Sequence, residues 1–423
     1  MGRTNFTSVT SAADRLFSWK DPYDLGGSSG VFLEAVRENL CWHKSRCAGY
    51  RNILDFYGFF MGQITGEEDL WKIPVIPTLY FKRRRLYSIP RNKVRRTAVS
   101  SGTGGIRSRV VYDFPSLVRG AAMVKTVLSH HGVFSPVPCR YLIMGYEPGP
   151  REETGAVQTA FGATFAAPAL SRVYGMKRTE GGKEIYRWNL EEVERTLFPY
   201  LSGGPSSRIP LRIVGFPAYI YFLAKELERR KKRLALPASS CILMSGGWKT
   251  FWREEIGREE FNWLAEQVLG IPKKRIFEFY SSVEHNILYR RCPAGHFHVP
   301  VYSRVFVRRP DTLEPAPDGE AGILSFVTPM MTGMPLLSTM TDDLAVMGRP
   351  ETGTACPCGC GTPYFDLLGR AGVGQIVTLS LIHICREAYI QEGSLPCRQY
   401  PTAPGRWRWL RYTGCLLYTS RCV

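Results

Sequence analysis

Five short segments of this 423-residue chain combine residue types that chemistry can use. Ser100, Ser101, Gly102, Thr103, Gly104 and Gly105 form a loop of small residues, closely followed by Arg107. Small residues let backbone N–H groups approach phosphate oxygens, hydroxyls add donors, and the guanidinium adds positive charge. The spacing is not that of a Walker loop, which needs a lysine directly after its last glycine. Gly246, Gly247 and Lys249 follow an apolar run at 241–244, the place where an α/β crevice meets an anionic ligand. Tyr280, Ser281 and Glu284 follow another apolar run. The aromatic ring can stack on a base. A carboxylate in a phosphate site is costly unless a cation bridges it, so Glu284 suggests Mg²⁺. Asp343, in Thr-Asp-Asp-Leu, can accept from two ribose hydroxyls, and Arg370 closes the series. Taken singly, each segment also reads as a turn, a cap or a solvated cation.

Cysteine and histidine form a second constellation. Cys292, His296 and His298 precede Cys356, Cys358 and Cys360. Two chain segments that each offer two ligands suit a closed tetrahedral zinc site, which is structural rather than catalytic because no position stays open. Cys41, Cys47, Cys139 and Cys241 read as buried small hydrophobes.

The elements that must position these residues are legible from period and punctuation. Leu33, Val36, Leu40, His43 and Cys47 recur at helical spacing. The proline-punctuated stretch 73–81 predicts extended backbone, and 115–131 predicts a helix. From 210 to 370, apolar runs alternate with helical patterns, which predicts an α/β fold with strands covered on both faces. Tyr219 and Tyr221 lie within one of these helical patterns and read first as core. From Val299 onward short strands predict a smaller β subdomain.

Composition bounds the class. Hydrophobic residues make up 44% and charged residues 22%, an ordinary globular balance. No apolar run is long enough to span a bilayer, and the N-terminus lacks the apolar core of a signal peptide, so a cytoplasmic location is expected. The net charge of +18 suits solvated basic faces or anionic partners. The basic runs lack interleaved aromatics, which disfavours nucleic acid.

The end of the chain has a different character. Residues 379–384 read LSLIHI and residues 415–420 read CLLYTS. One nucleotide word, CTGTCTCTTATACACATCT, encodes both in adjacent frames, and its reverse complement encodes the terminal Arg-Cys-Val followed by a stop. That word resembles a transposon end used in sequencing libraries. Residues 379–423 are therefore expected to be a non-native tail, with the natural C-terminal small domain missing or truncated.

The order of the motifs resembles the adenylate-forming superfamily. More closely, residues 20–376 resemble the acyl-protein synthetases of bacterial luminescence fatty-acid reductase, with the phenylacetate-CoA ligases as relatives. The resemblance rests on DPYDL, SSGTGGIRSRVVYD, SGGWK, FYSSVEHN, TLEPAPDGEAGILSFVTP, TDDLAVM, CPCG and YFDLLGRAG. It implies residues 1–376 as one adenylate-forming domain with layered α/β subdomains and a β, zinc-bearing part at about 290–370. It also implies ATP-dependent activation of a carboxylic, fatty acid to an acyl-adenylate, followed by transfer to a thiol of a protein cysteine, a carrier protein or CoA. Ser100 to Gly105 would then hold the ATP phosphates, Tyr280 would sit near the adenine, Glu284 would bind Mg²⁺, and Asp343 with Arg370 would take the ribose. Lys249 would face the phosphate or the acyl carboxylate. Cys292, His298, Cys356 and Cys358 would hold Zn²⁺, leaving His296 and Cys360 as spares. Two departures stand out. Gly104-Gly105 replaces a common second hydroxyl, and the family's acceptor cysteine would fall near 378–379, where the anomalous tail begins. An acyl- or aryl-CoA ligase is the neighbouring alternative, and a non-catalytic basic zinc module is the alternative of another class.

Overall fold

The structure is a computed structural model that describes residues 10–100, 107–150, 152–179, 185–248, 251 and 254–370. The chain opens with α1 (Ala12–Phe17), α2 (Leu25–Arg46) and α3 (Ala48–Phe56). β1 (Ile76–Pro77) runs directly into α4 (Thr78–Arg83). A hairpin of β2 (Arg96–Val99) and β3 (Arg109–Tyr112) leads into α5 (Phe114–His130). β4 (Cys139–Tyr146), α6 (Gly155–Ala163), β5 (Ala169–Arg178), β6 (Tyr186–Trp188) and α7 (Leu190–Ser202) follow. Then come β7 (Leu211–Gly215), α8 (Pro217–Arg229), β8 (Cys241–Ser245), α9 (Arg258–Leu269) and β9 (Ile276–Tyr280). Shorter strands complete the fold: β10 (Tyr289–Arg290), β11 (Phe297–His298), β12 (Arg304–Arg308), β13 (Gly322–Val327), β14 (Ser338–Gly348) and β15 (Tyr364–Arg370).

The first sheet has the order β10-β9-β8-β7-β4-β5-β6, and only its two edge strands pair antiparallel. Its central strands read as unbroken apolar runs because both faces are covered. Side chains alternate in direction along a strand. Leu142, Met144, Ile242 and Met244 therefore pack with α7, α8 and α9, while Tyr141, Ile143, Cys241 and Leu243 pack toward α5 and α6. The covered sheet expected from 210 onward is present only as far as β9 and extends back to β4, while the strands beyond it belong to the second sheet.

The second sheet runs β11-β15-β14-β13-β12, with β1 parallel to β14. Its core is continuous with α1, α2 and α3: Phe32, Val36, Leu40 and Tyr50 share one cluster with Phe297, Phe326 and Phe365. Arg304 caps this junction. Its guanidinium pairs with Glu67 and lies 4.0 Å over the Phe32 ring.

Two expectations change. Residues 78–81 are helical rather than extended. Pro77, at φ −61°, sits just before the helix, where its missing N–H leaves no gap in the hydrogen-bond ladder. Cys41 is exposed, because α2 buries Phe32, Val36, Asn39, Leu40 and His43 and turns Cys41 to the outside.

Candidate active site

Three loops leave the carboxyl ends of β7, β8 and β9, where open α/β sheets place their ligands. β8 ends at Ser245, in register with Phe279 of β9. Gly246 follows at φ +77°, a conformation that favours glycine, and Gly247 is exposed beside it. Lys249 lies outside the described residues, as do residues 101–106 of the small-residue loop. The stem of that loop is described. Ser100 Oγ accepts from the Ser108 amide at 2.9 Å, and the Ser100 amide donates to the Ser108 carbonyl at 3.0 Å. This pair closes the base of the loop at the tip of the β2–β3 hairpin, and Arg107 projects from it exposed.

Glu284 lies on the loop after β9 and is 6% exposed. Its carboxylate has no hydrogen bond or ion pair among the described residues. A buried carboxylate with no partner among the described residues suits a bound cation. The loop is tied to the hairpin from two sides. Asn286 donates to the Tyr112 hydroxyl and, at 2.7 Å, to the Val283 carbonyl. A Cβ on Gly155 would lie 2.6 Å from Val283 and 3.6 Å from the Val99 carbonyl, so only glycine lets these segments meet. Burial, reinforced by the charge of Glu284, holds the Tyr112 phenol well above its ordinary range. His285 lies flat on Phe326 at 3.9 Å and shares a 2.6 Å hydrogen bond with the Tyr289 hydroxyl. Burial drops its pKa to about 3, so it is neutral.

Tyr280, Asp343 and Arg370 come together as the motif order suggested. The Tyr280 hydroxyl donates to Asp343 Oδ2 at 2.8 Å, and Arg370 Nε lies 3.3 Å from Oδ1 across a β14–β15 pair. Burial and the adjacent carboxylate push the Tyr280 phenol far up, which keeps it a donor. Its ring packs among Tyr289, Phe297, Phe326 and Phe365. Ser281 is exposed and turns its hydroxyl toward the His285 carbonyl.

Of the aromatic cluster beyond the ends of β4, β7 and β8, sequence reasoning singled out only Tyr219 and Tyr221, as lining of an acid pocket or, more often at that spacing, as core. The Tyr219 and Tyr146 hydroxyls lie 2.8 Å apart, and Tyr219 also meets Trp188, Phe216 and Phe251. Tyr221 packs on Trp248, directly after Gly247. The only sequence signal was the density of aromatics in this part of the chain, which suits a core equally well.

Cys292, His298, Cys356 and Cys358 converge at the second sheet, with all four ligand atoms within 4.8 Å of one another. Sγ of Cys356 lies 3.6 Å from Cys292 and 3.3 Å from Cys358, and Cys358 Sγ lies 3.2 Å from His298 Nε2. These separations are close to the roughly 3.8 Å edge of a tetrahedron built on zinc–sulfur bonds. His298 Nδ1 faces the Thr362 hydroxyl at 3.1 Å, which directs Nε2 to the thiols. Burial opposes ionisation at Cys292, but hydrogen bonds from the His298 ring, the His296 backbone and Cys356, with the charge of His298, together outweigh it and lower the thiol. His296 instead pairs with Asp366 at 2.8 Å, and Cys360 Sγ lies 3.5 Å from the Thr362 hydroxyl.

The family pattern described as "Acyl-protein synthetase, LuxE" matches residues 2–377. The long-chain-fatty-acid–luciferin-component ligase of Aliivibrio fischeri is 25% identical over 74% of this chain and 78% of its own length. The same-named protein of Vibrio harveyi is 24% identical over 82% of this chain and 87% of its length. A phenylacetate-coenzyme A ligase of Thermus thermophilus is 25% identical over 77% of this chain and 66% of its length. Among solved structures, an open form of 2-hydroxyisobutyryl-CoA ligase with 2-HIB-AMP and CoA superposes with a TM-score of 0.60 at 14% identity. That superposition covers 85% of this chain and 78% of the other, and it shows that the two chains share a fold. No helix among the described residues is long and apolar enough to cross a membrane.

Proposed function

The chain belongs to the acyl-protein synthetase, LuxE family, and we propose that it acts on a long-chain fatty acid held by the aromatic cluster around Tyr219. It is an ATP-dependent ligase that activates a carboxylic acid as its acyl-adenylate and passes the acyl group to a thiol. The observation that carries the residue assignment is Glu284: a buried carboxylate, unpartnered among the described residues, on the loop that Asn286 ties to the stem of the small-residue loop.

In the first step a carboxylate oxygen of the acid attacks the α-phosphorus of ATP, and pyrophosphate leaves. Little proton transfer is needed, so catalysis is alignment plus neutralisation of charge on the phosphates. The residues from Ser100 to Gly105 cradle the phosphates. Arg107, Gly246, Gly247 and Lys249 add donors and charge around them. Glu284 would hold a Mg²⁺ ion that neutralises phosphate charge. Asp343, steadied by Tyr280 and Arg370, accepts from the ribose hydroxyls. In the second step a thiolate attacks the acyl carbonyl and AMP leaves, forming a thioester. Cys292, His298, Cys356 and Cys358 would hold a structural zinc ion that pins β11 and the turn before it to the loop at 356–362.

The test is acid-dependent exchange of pyrophosphate into ATP across a panel of carboxylic acids. The reading expects exchange with long-chain fatty acids and a loss of about a hundredfold or more in Glu284→Gln. Exchange only with aryl or short acids would overturn the substrate class. Undiminished exchange in Glu284→Gln would overturn the role of that residue. Product analysis with CoA as the sole thiol separates a CoA ligase from a protein acyl-transferring enzyme.

A further inference from the structure

Charge is unevenly distributed along this chain. Between Leu70 and Tyr146 the sequence places fourteen lysines and arginines against one acidic residue, Asp113. Asp113 is buried and accepts from Ser116 and Thr332, so it offers no charge to the surface. Arg85, Arg91, Lys93 and Arg95 are exposed, and none has an ion-pair partner among the described residues.

These cations lie on segments that the fold brings together. The Ser88 amide donates to the Gly333 carbonyl, Gly333 packs against Val111 and Ile89, and the neighbouring Thr332 bonds to Asp113 and Ser116. The turn at 332–333 thus gathers the 85–95 segment and the start of α5. The Arg95 amide bonds to the Tyr112 carbonyl at 2.8 Å, two residues before Phe114.

α5 is oriented by its buried residues. Ser116, Arg119, Met123 and Val127 face the core. At 3.6 residues per turn the opposite side carries Phe114 and Val118, which are 66% and 49% exposed, with Lys125 further along. The helix contains no acidic residue. Apart from its buried cap Asp113, acids among the described residues reach α5 from its core-facing side, where Asp14 pairs with Arg119, and from its end, where Asp21 lies 3.9 Å from His130. Two outward apolar side chains near cations that have no ion pair among the described residues fit a surface that lies on an anionic bilayer.

We propose that this face, formed by Arg85, Arg91, Lys93, Arg95, Phe114 and Val118, docks the protein on a membrane rich in anionic lipid. The cations contact headgroup phosphates, and Phe114 and Val118 enter the interface. The advantage of this location rests on the long-chain acid proposed above, since such an acid dissolves in the bilayer from which the docked enzyme draws it. The docking itself needs neither ATP nor the acid.

The test is co-sedimentation of the full chain with phosphatidylcholine vesicles made with and without phosphatidylserine, at low and high salt. Binding is expected only with phosphatidylserine and is lost at high salt. Replacing Arg85, Arg91, Lys93 and Arg95 with glutamine should weaken it by about fivefold per cation. Removing the same charge at Lys231, Lys232, Arg233 and Lys274, which are also exposed, should leave binding nearly intact. Phe114→Ser should weaken binding at constant charge. Equal binding to neutral vesicles, no binding at all, or equal losses in the two charge-matched variants would overturn the proposal. So would tighter salt-sensitive binding to an acidic protein or to duplex DNA through the same four cations. Pyrophosphate exchange measured without vesicles reports on the catalytic reading alone, so the two can fail separately.

Discussion

The side-chain amide of Asn286 donates to the hydroxyl of Tyr112 across 174 residues of sequence, joining the loop of Glu284 to the strand that supports the small-residue loop. With the close packing of Gly155 against Val283 and the Val99 carbonyl, this hydrogen bond sets the spacing between the Glu284 loop and the hairpin.

Tyr112→Phe tests this role with the least disturbance, since it removes one hydroxyl and keeps the ring. A net hydrogen bond contributes about 1 kcal/mol, which is about fivefold in an equilibrium. The expected result is a rise of about that size in KM for ATP, with KM for the acid unchanged and thermal stability nearly so. A purely structural bond would lower stability without separating the two KM values, and that outcome would remove the positioning role.

The separate ends of this clasp were visible in the sequence, but the clasp was not. The Glu284 segment and Asp343 were legible as candidates because a carboxylate at a strand end has a local signature, while residues 101–106 of the small-residue loop lie outside the described residues. The covered sheet was legible because β4, β7, β8 and β9 are unbroken apolar runs. Tyr112 and Asn286 meet only through the tertiary fold, so no window of sequence could reveal the pair. The helix at α4 was hidden for a different reason. Proline disfavours helix in the residue before it, but Pro77 is itself that residue's successor and leads into the helix at Thr78. The zinc ligands lay between these cases, with the residue types legible and the choice among the six dependent on resemblance. The convergence of Cys292, His298, Cys356 and Cys358, with His296 turned instead to Asp366, supports the same four.

The metal reading yields its own prediction. The protein should contain about one zinc per chain by elemental analysis, as a closed four-ligand site requires. Cys358→Ser should lose most of that metal and melt at lower temperature, because binding energy at a structural site is folding energy. Cys360→Ser should keep it. Retention of zinc in Cys358→Ser together with loss in Cys360→Ser would exchange the two residues in the ligand set. Absence of zinc from the wild-type protein prepared without chelators would remove the site altogether.

Part of the protein's acid sensitivity should be traceable to one buried imidazole on α2. His43 is fully buried on α2, with Nδ1 2.6 Å from the Ser88 hydroxyl and Nε2 3.0 Å from the Met331 carbonyl. Burial lowers its pKa to about 4, outweighing the carbonyl contact and the charge of Asp113, which favour the protonated form. The unfolded chain binds its proton near pH 6.5, so the folded state binds fewer protons between the two values and loses stability as pH falls. The stabilising contribution is complete above about pH 6.5 and declines by about 1.4 kcal/mol per pH unit until the folded-state value is reached. Other buried groups titrate in the same range, so the informative quantity is a difference. His43→Gln can keep polar contacts to Ser88 and Met331 but cannot titrate. Its stability, measured by denaturant unfolding from pH 7 to pH 4, should fall less steeply than that of the wild type, and the two curves should converge toward the acid end. Parallel curves would mean that His43 is protonated in the folded protein as readily as in the unfolded chain, and its burial would then have no bearing on acid stability.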